Sequence, residues 1–530
     1  MSTIIPVFKP WVPEWLLRLS LLLVILPGLL LFVLPISNVS AAAGYYGISP
    51  NDVNYSCIIF YAAMASFVVM ESRFFRYIAC KEYLIIIMLL LMLSCLLCYH
   101  TRSFPVLLVL RYIQGLLTCG TLSVNMNLMF SRLHSDRARE IGYSVVYTIL
   151  LSVVPLSSII AVPLVDNFNF NVLYKAALYS FLPGTVLMFF FMNNVRLNKK
   201  FPLYSLDWAS FFFYTSGFCL FGYMTIYGQQ FEWFEDRSII LAFFTLIILI
   251  ILFAVRQKSA KRPYLYLSVL KIGEFRIAAG LLFVLYICRG SFGVTTTFMG
   301  TALGMDPQNI SYLLYYNIAA IIISVTISSR LVLRKKPLRL ILIYGFGLLL
   351  LFHGCMCFLF SSQIDAADLI IPVILQGLGA GMIMAPIILF LVSSSPLQYG
   401  NTGSGIGILV RFSGFCTSIA LINYFQMERQ RYHFNRFQEQ LAISPQFLSE
   451  RLSKFKLSFL SKGQPEDKAS AIAFKLTEKT VSAQAQIKYA VDYYELISCL
   501  LVVIILAVIL LPSIKNTIGK KIRKEAPAVY

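Results

Sequence analysis

Apolar runs too long for the core of a water-soluble domain recur along this chain. Segments such as 16–36, 83–98 and 497–511 leave almost no side for water to touch. A helix needs about 20 such residues to cross the hydrocarbon layer of a bilayer. Charged residues make up 13% of the chain, where a soluble domain carries about 25%, so most of the chain lies in lipid. Fourteen spans are read at 15–36, 52–71, 83–99, 104–130, 141–164, 172–193, 207–227, 238–256, 276–300, 309–329, 338–360, 368–394, 402–425 and 495–512. Pro27-Gly28, Pro183-Gly184 and Pro386 do not divide them, because membrane helices tolerate Pro and Gly. The first run is too long for a secretory signal peptide and has no clean small-residue cleavage site. The expected fold class is an all-α polytopic membrane protein.

The net charge of +20 invites a nucleic-acid partner, but its distribution argues against one. Lys and Arg recur in short groups between apolar runs, as on the cytoplasmic side of a membrane. With the N-terminus inside, Arg73, Arg76, Lys81, Arg132, Arg137, Arg139, Arg196, Lys199, Lys200, Lys335 and Lys336 fall on one side. The opposite short loops hold little more than Arg102 and Arg237. Both termini are therefore expected in the cytoplasm, which an even number of spans permits. The loop 393–404 departs from this pattern, having no basic residue. Residues 426–494 are polar and of mixed charge, with Ser444-Pro445 and Pro465-Glu466 placed as helix starts. They read as an outer helical hairpin extending the last two spans.

Charge within a span costs about 2.5–3.5 kcal/mol on insertion scales, so Arg111, Arg289 and Arg411 are candidate functional residues. Small neighbours around Arg289 and Arg411 allow close helix approach. The structural alternative is an arginine that pins helices through backbone carbonyls. His353 lies inside a span and is a candidate for the substrate cavity or a proton relay. The carboxylates nearest the spans (Glu71, Asp166, Asp207, Asp365 and Asp368) read as residues of the membrane interface. Cys95 and Cys98 form a C-x-x-C pair, but no second pair or His cluster stands nearby. No G-x-x-x-x-G-K-[ST] loop supports an ATP-driven pump, and no cofactor is implied. Arg111-Tyr112-Ile113-Gln114-Gly115 and Gln376-Gly377-Leu378-Gly379-Ala380-Gly381 occupy comparable places in the two halves, a weak mark of internal duplication.

The order of these elements resembles the fourteen-helix drug:proton antiporters of the major facilitator superfamily. Arg111-Tyr112-Ile113-Gln114-Gly115 resembles their R-x-x-Q-G motif. Leu206-Asp207-Trp208, the segment from Arg262 to Leu267, and the long loop before the last span carry the rest. The resemblance implies a six-helix bundle over 1–200, two inserted helices over 201–272 and a second six-helix bundle over 273–530, which includes the hairpin 426–494. It implies proton coupling and gating through Arg111, Gln114 and Gly115, and a cytoplasmic gating loop with Arg73, Arg76 and Lys81. It also implies small-molecule substrates, protons, and a periplasmic adaptor with an outer-membrane channel. Three departures stand against the motif set. Tyr77 replaces the loop's aspartate, Val154-Pro155-Leu156-Ser157-Ser158 replaces G-P-x-x-G-G, and Leu34-Pro35-Ile36 stands where an acid is expected. The implied function is a proton-coupled exporter of small amphipathic compounds, in the inner membrane. The alternatives are a dedicated exporter of one endogenous metabolite or lipid-like molecule, and a non-transporting receptor or scaffold.

Overall fold

The computed structural model describes residues 6–74, 78–132, 138–196, 206–260, 263–396, 399, 402–443 and 445–511. Fourteen of its helices are long and apolar enough to span a membrane. They are α1 (Glu14–Tyr46), α2 (Pro50–Glu71), α3 (Cys80–His100), α4 (Phe104–Met129), α5 (Ile141–Asn167), α6 (Val172–Phe191) and α7 (Trp208–Tyr227). The series continues with α8 (Arg237–Ser259), α9 (Gly273–Thr301), α10 (Pro307–Leu333), α11 (Leu338–Leu359), α12 (Ala366–Ser393), α13 (Thr402–Ile443) and α14 (Glu466–Leu510). Among the described residues the one extended pairing is a bridge between Phe8 and Met192. In lipid a helix satisfies its own backbone, so an all-helical fold is the physical consequence of the apolar runs.

The helix ends follow local chemistry. Asp207 and Asp236 accept hydrogen bonds from the backbone of Ser210 and Ser238 and so cap α7 and α8. Asp306 caps α10 ahead of Pro307, whose missing N–H costs nothing in the first turn. Gly47, at φ +66°, closes α1 in the left-handed region. Within α1 the helix tightens at Leu34–Asn38, where Pro35 interrupts the ladder.

The helices sort into two six-helix bundles and an inserted pair. In the first bundle α3 packs on α6 and α4, α1 on α4, α5 and α6, and α2 on α4. In the second, α12 packs on α10 and α11, α9 on α13, and α11 on α14. The bundles meet along a seam where α5 touches α10 and α12, and α2 touches α13. Of the inserted pair, α7 lies against α2 and α13, and α8 packs on α7. Only 11% of the most apolar stretch of α8 is buried, so nearly all of it is left for lipid.

The last two spans outrun the bilayer. Helix α13 continues through a wider turn at Phe425–Arg429 into polar sequence. Helix α14 has 45 residues, about 67 Å at 1.5 Å each, against a hydrocarbon layer of about 30 Å. A helix at Pro445–Leu460 folds back onto α14. Arg429 and His433, one turn apart on α13, both bond Asp492 of α14 at 2.8–2.9 Å and clasp the base of the hairpin. The apolar signal ends near residues 425 and 495, but the helices do not, because hydrogen bonds within a helix do not depend on the solvent outside.

Candidate functional site

Arg111 is wholly buried, and its environment explains how a charge is held there without a carboxylate. Pro35 of α1 has no N–H to offer the carbonyl of Leu31, four residues earlier. Arg111 supplies the donor instead: its guanidinium bonds Leu31 O at 2.7 Å and Phe32 O at 2.6 Å. It also reaches Gln114 Oε1 at 3.2 Å and lies 4.5 Å over the ring of Phe60 on α2. Gln114 in turn donates to Cys98 Sγ on α3 at 3.4 Å. The absence of an acid at 34–36 is thus offset by two backbone oxygens, one of which the proline leaves unpaired.

Gly115 follows because its helix touches another at the backbone. A Cβ there would sit 2.2 Å from Phe60 O and 2.9 Å from Ala63 Cβ. The same contact recurs in the second half. A Cβ on Gly377 of α12 would sit 2.7 Å from Asn317 O and 2.9 Å from Ala320 Cβ on α10. Gln114-Gly115 and Gln376-Gly377 are therefore matched positions, each against a residue and the small residue three further on. Gln376 accepts from Asn317 Nδ2 at 2.6 Å, and the position matching Arg111 is Val373. The duplication is carried by the glycines, and the arginine belongs to one half alone.

Arg289 and Arg411 come together across the seam. From α9, Arg289 reaches the carbonyls of Leu150 and Leu151 on α5 at 3.4 and 3.3 Å. Leu151 lies four residues before Pro155, so its carbonyl too has lost its helical donor. From α13, Arg411 meets Tyr147 on the same helix, with Nη1 3.3 Å from the hydroxyl and the guanidinium 5.7 Å from the ring centre. Tyr286 of α9 hydrogen-bonds Arg411, and Tyr61 of α2 lies within electrostatic reach of both arginines. Tyr61 also stacks edge-on against Phe412 and Phe415 of α13.

His353 is not part of this group. Its ring is fully buried between α9, α11 and α14, with Nε2 2.8 Å from Ser291 Oγ and Nδ1 2.7 Å from Leu349 O. Tyr494 packs on it at 4.9 Å. Ser291 is two residues beyond Arg289, about 200° around the helix, so His353 lies on the far side of α9. Glu71, read as interfacial, is instead 1% exposed, with Tyr83 and Ser123 hydroxyls as partners. Helices α3 and α4 enclose it, which hydropathy at the end of one span does not reveal. Of the gating loop, Arg76 and Tyr77 lie outside the described residues, as does the side chain of Arg73. Lys81 opens α3, with its ammonium 4.6 Å over Phe189.

Residues 18–419 match the family model of the Major Facilitator Superfamily. The chain belongs to that superfamily. This facilitator is a multi-pass membrane transporter. The colistin resistance protein EmrB of Acinetobacter baumannii is 22% identical over 404 residues, 74% of this chain and 75% of that protein. Two solved structures are alike in fold. The human organic anion transporter MFSD10 (TETRAN) has a TM-score of 0.51 at 13% identity, over 92% of this chain and 100% of that one. A POT family transporter in complex with a thioalcohol-conjugated peptide has a TM-score of 0.61 at 12% identity, over 95% and 97%. The two six-helix bundles with an inserted pair are the form this facilitator gives to the superfamily's fold. Its sequence marked the three arginines but not Tyr61, Tyr147 or Tyr286. A tyrosine in the middle of an apolar run is a usable signal, since its hydroxyl needs a partner when buried.

Proposed function

We propose that this facilitator is a proton-coupled secondary exporter of small amphipathic compounds, working by alternating access. The observation that carries it is the seam: Arg289 and Arg411 of one bundle bond a single helix, α5, of the other. Any rocking of the bundles must break and remake those contacts, so a ligand placed there is coupled to the movement. Among the described residues Glu71 is the one buried Asp or Glu, which makes it the candidate proton carrier. Arg111, with Gln114 and Gly115, is assigned to holding α4 against α1 and α2 while that proton moves. Arg73, Arg76 and Lys81, which follow Glu71 in the sequence, would serve as a cytoplasmic gate. The printed name of the Acinetobacter relative, a colistin resistance protein, supports efflux.

The basic loops support an inner-membrane location with both termini in the cytoplasm. That topology puts the hairpin on the opposite side, where it would dock a periplasmic adaptor and, through it, an outer-membrane channel. The test is substrate-triggered proton movement in proteoliposomes for wild type, Glu71→Gln and Arg111→Ala. Proton flux in the wild type that Glu71→Gln abolishes supports the reading. Substrate movement that is indifferent to a pH gradient refutes the coupling.

A further inference from the structure

The three arginines within the spans differ in how fully they are satisfied. Arg111 is 0% exposed, with two short bonds to carbonyls, a third to Gln114 and a ring beneath it. Arg289 and Arg411 keep partial exposure although both point into the seam. A guanidinium carries five N–H donors. Arg289 spends one nitrogen on two contacts of 3.3–3.4 Å, and Arg411 reaches tyrosine hydroxyls; its Nε, like that of Arg111, is buried without a partner among the described residues. Neither has a salt bridge among the described residues. The acids of the surrounding helices are remote: Glu71 is ten residues from Tyr61, about 15 Å along α2, and Glu274 is fifteen residues from Arg289, about 22 Å along α9.

Two positive charges thus share the neighbours Tyr61 and Tyr286, with unspent donors and no acidic partner among the described residues. Such an arrangement is costly in a low dielectric until an anion enters. The pair also has an apolar wall beside it. Phe32 of α1 contacts Tyr61 at 5.4 Å and Phe415 at 6.5 Å, so rings from both bundles line up beside the arginines.

We infer that this site binds an organic anion, a carboxylate or sulfonate on an aromatic body, with Arg289 and Arg411 on the acid group. The hydroxyls of Tyr147 and Tyr286 hold the guanidinium of Arg411 in place, and the ring of Tyr61 abuts the aromatic body. This names the substrate class of the exporter proposed above and rests on that reading.

The test uses the full chain in detergent with three probes of one shape: 2-naphthoate, its methyl ester and 2-naphthylmethylammonium. Thermal stabilisation and equilibrium binding are measured for each. Naphthoate is expected to bind and stabilise, and the ester and ammonium are not. Arg289→Gln and Arg411→Gln are each expected to weaken naphthoate binding by about 10- to 100-fold, the range for a charged hydrogen bond. Arg411→Lys, which keeps the charge, is expected to weaken it less. Equal binding of the ester, or naphthoate binding unchanged in both Gln variants, overturns the assignment. If the Gln variants do not fold, selectivity among the probes on wild type decides. Naphthoate binding lost on adding phosphatidylglycerol would assign the arginines to a lipid headgroup and overturn the cargo. Proton flux on the same preparation separates the two readings. Naphthoate binding without proton movement sinks the coupling and leaves the anion site, whereas proton-driven movement of the ammonium does the reverse.

Discussion

If Arg111 is held in part by the carbonyl that Pro35 leaves unpaired, the two residues must be energetically coupled. Arg111→Leu removes the donors to Leu31 O and Phe32 O and the bond to Gln114. Each stranded acceptor costs about 1–3 kcal/mol. Against that, deleting a buried guanidinium returns about 2.5–3.5 kcal/mol. With three acceptors stranded, the net loss expected for the single variant is about 3 kcal/mol at the middle of these ranges. In a Pro35→Ala background the new N–H takes Leu31 O, and Arg111→Leu strands one acceptor fewer. The double-mutant cycle should therefore give a coupling of about 1–3 kcal/mol, with the double variant less unstable than the sum. The assay is equilibrium unfolding by SDS titration in mixed micelles, followed by helical circular dichroism. A coupling below about 0.5 kcal/mol, the scatter of independent sites, would refute the account. The parallel cycle of Pro155→Ala with Arg289→Leu should give less, because those contacts are longer.

Three further outcomes follow from the same geometry. Burial of Asp207 disfavours its charge, but hydrogen bonds from Ser210 and Arg256 outweigh this and hold its carboxyl below the usual carboxylate range. Its contribution is therefore present above the unfolded value and lost as pH falls through the folded one; Asp207→Asn should cost about 1 kcal/mol at pH 7, and the difference from wild type should vanish in strong acid, read by thermal unfolding. His353→Phe keeps the stacking on Tyr494 but loses the Ser291 bond, so it should cost about 1 kcal/mol and leave proton flux unchanged; abolished flux would return His353 to the transport path. Gly115→Ala and Gly377→Ala should each destabilise by about 1–3 kcal/mol and add in combination, since they sit in different bundles; a marked departure from additivity would mean the two contacts are not independent.

The positions of all fourteen spans were legible because the bilayer fixes both the length and the composition of what crosses it. Arg111, Arg289 and Arg411 were legible for the same reason, since charge in lipid demands an account. What holds them was not. Pro35 and Pro155 read only as part of departures from the family motifs, and only the neighbouring helix reveals that each leaves a carbonyl for an arginine. Tyr147 and Tyr286 were lost among the 30 tyrosines of the chain because nothing local separates a tyrosine at the seam from one at the membrane surface. Glu71 was misplaced because hydropathy follows one helix and its burial is made by two others. The extension of α13 and α14 beyond the apolar sequence was legible, because the starts at Pro445 and Pro465-Glu466 mark helices in polar sequence.

The hairpin has a mechanical consequence. Helix α13 carries Arg411 at one level and runs on unbroken to Ile443, and α14 extends 26 residues from its clasp at Asp492 to Glu466, about 39 Å. A tilt of about 10° at the arginine, about 66 Å from the far end, would sweep that end through about 11 Å, on this rise per residue. The projection is thus a lever arm whose tip amplifies small rotations of the second bundle, and a pair of spin labels, one near Gly463 and one on α6, would read the seam opening from outside it.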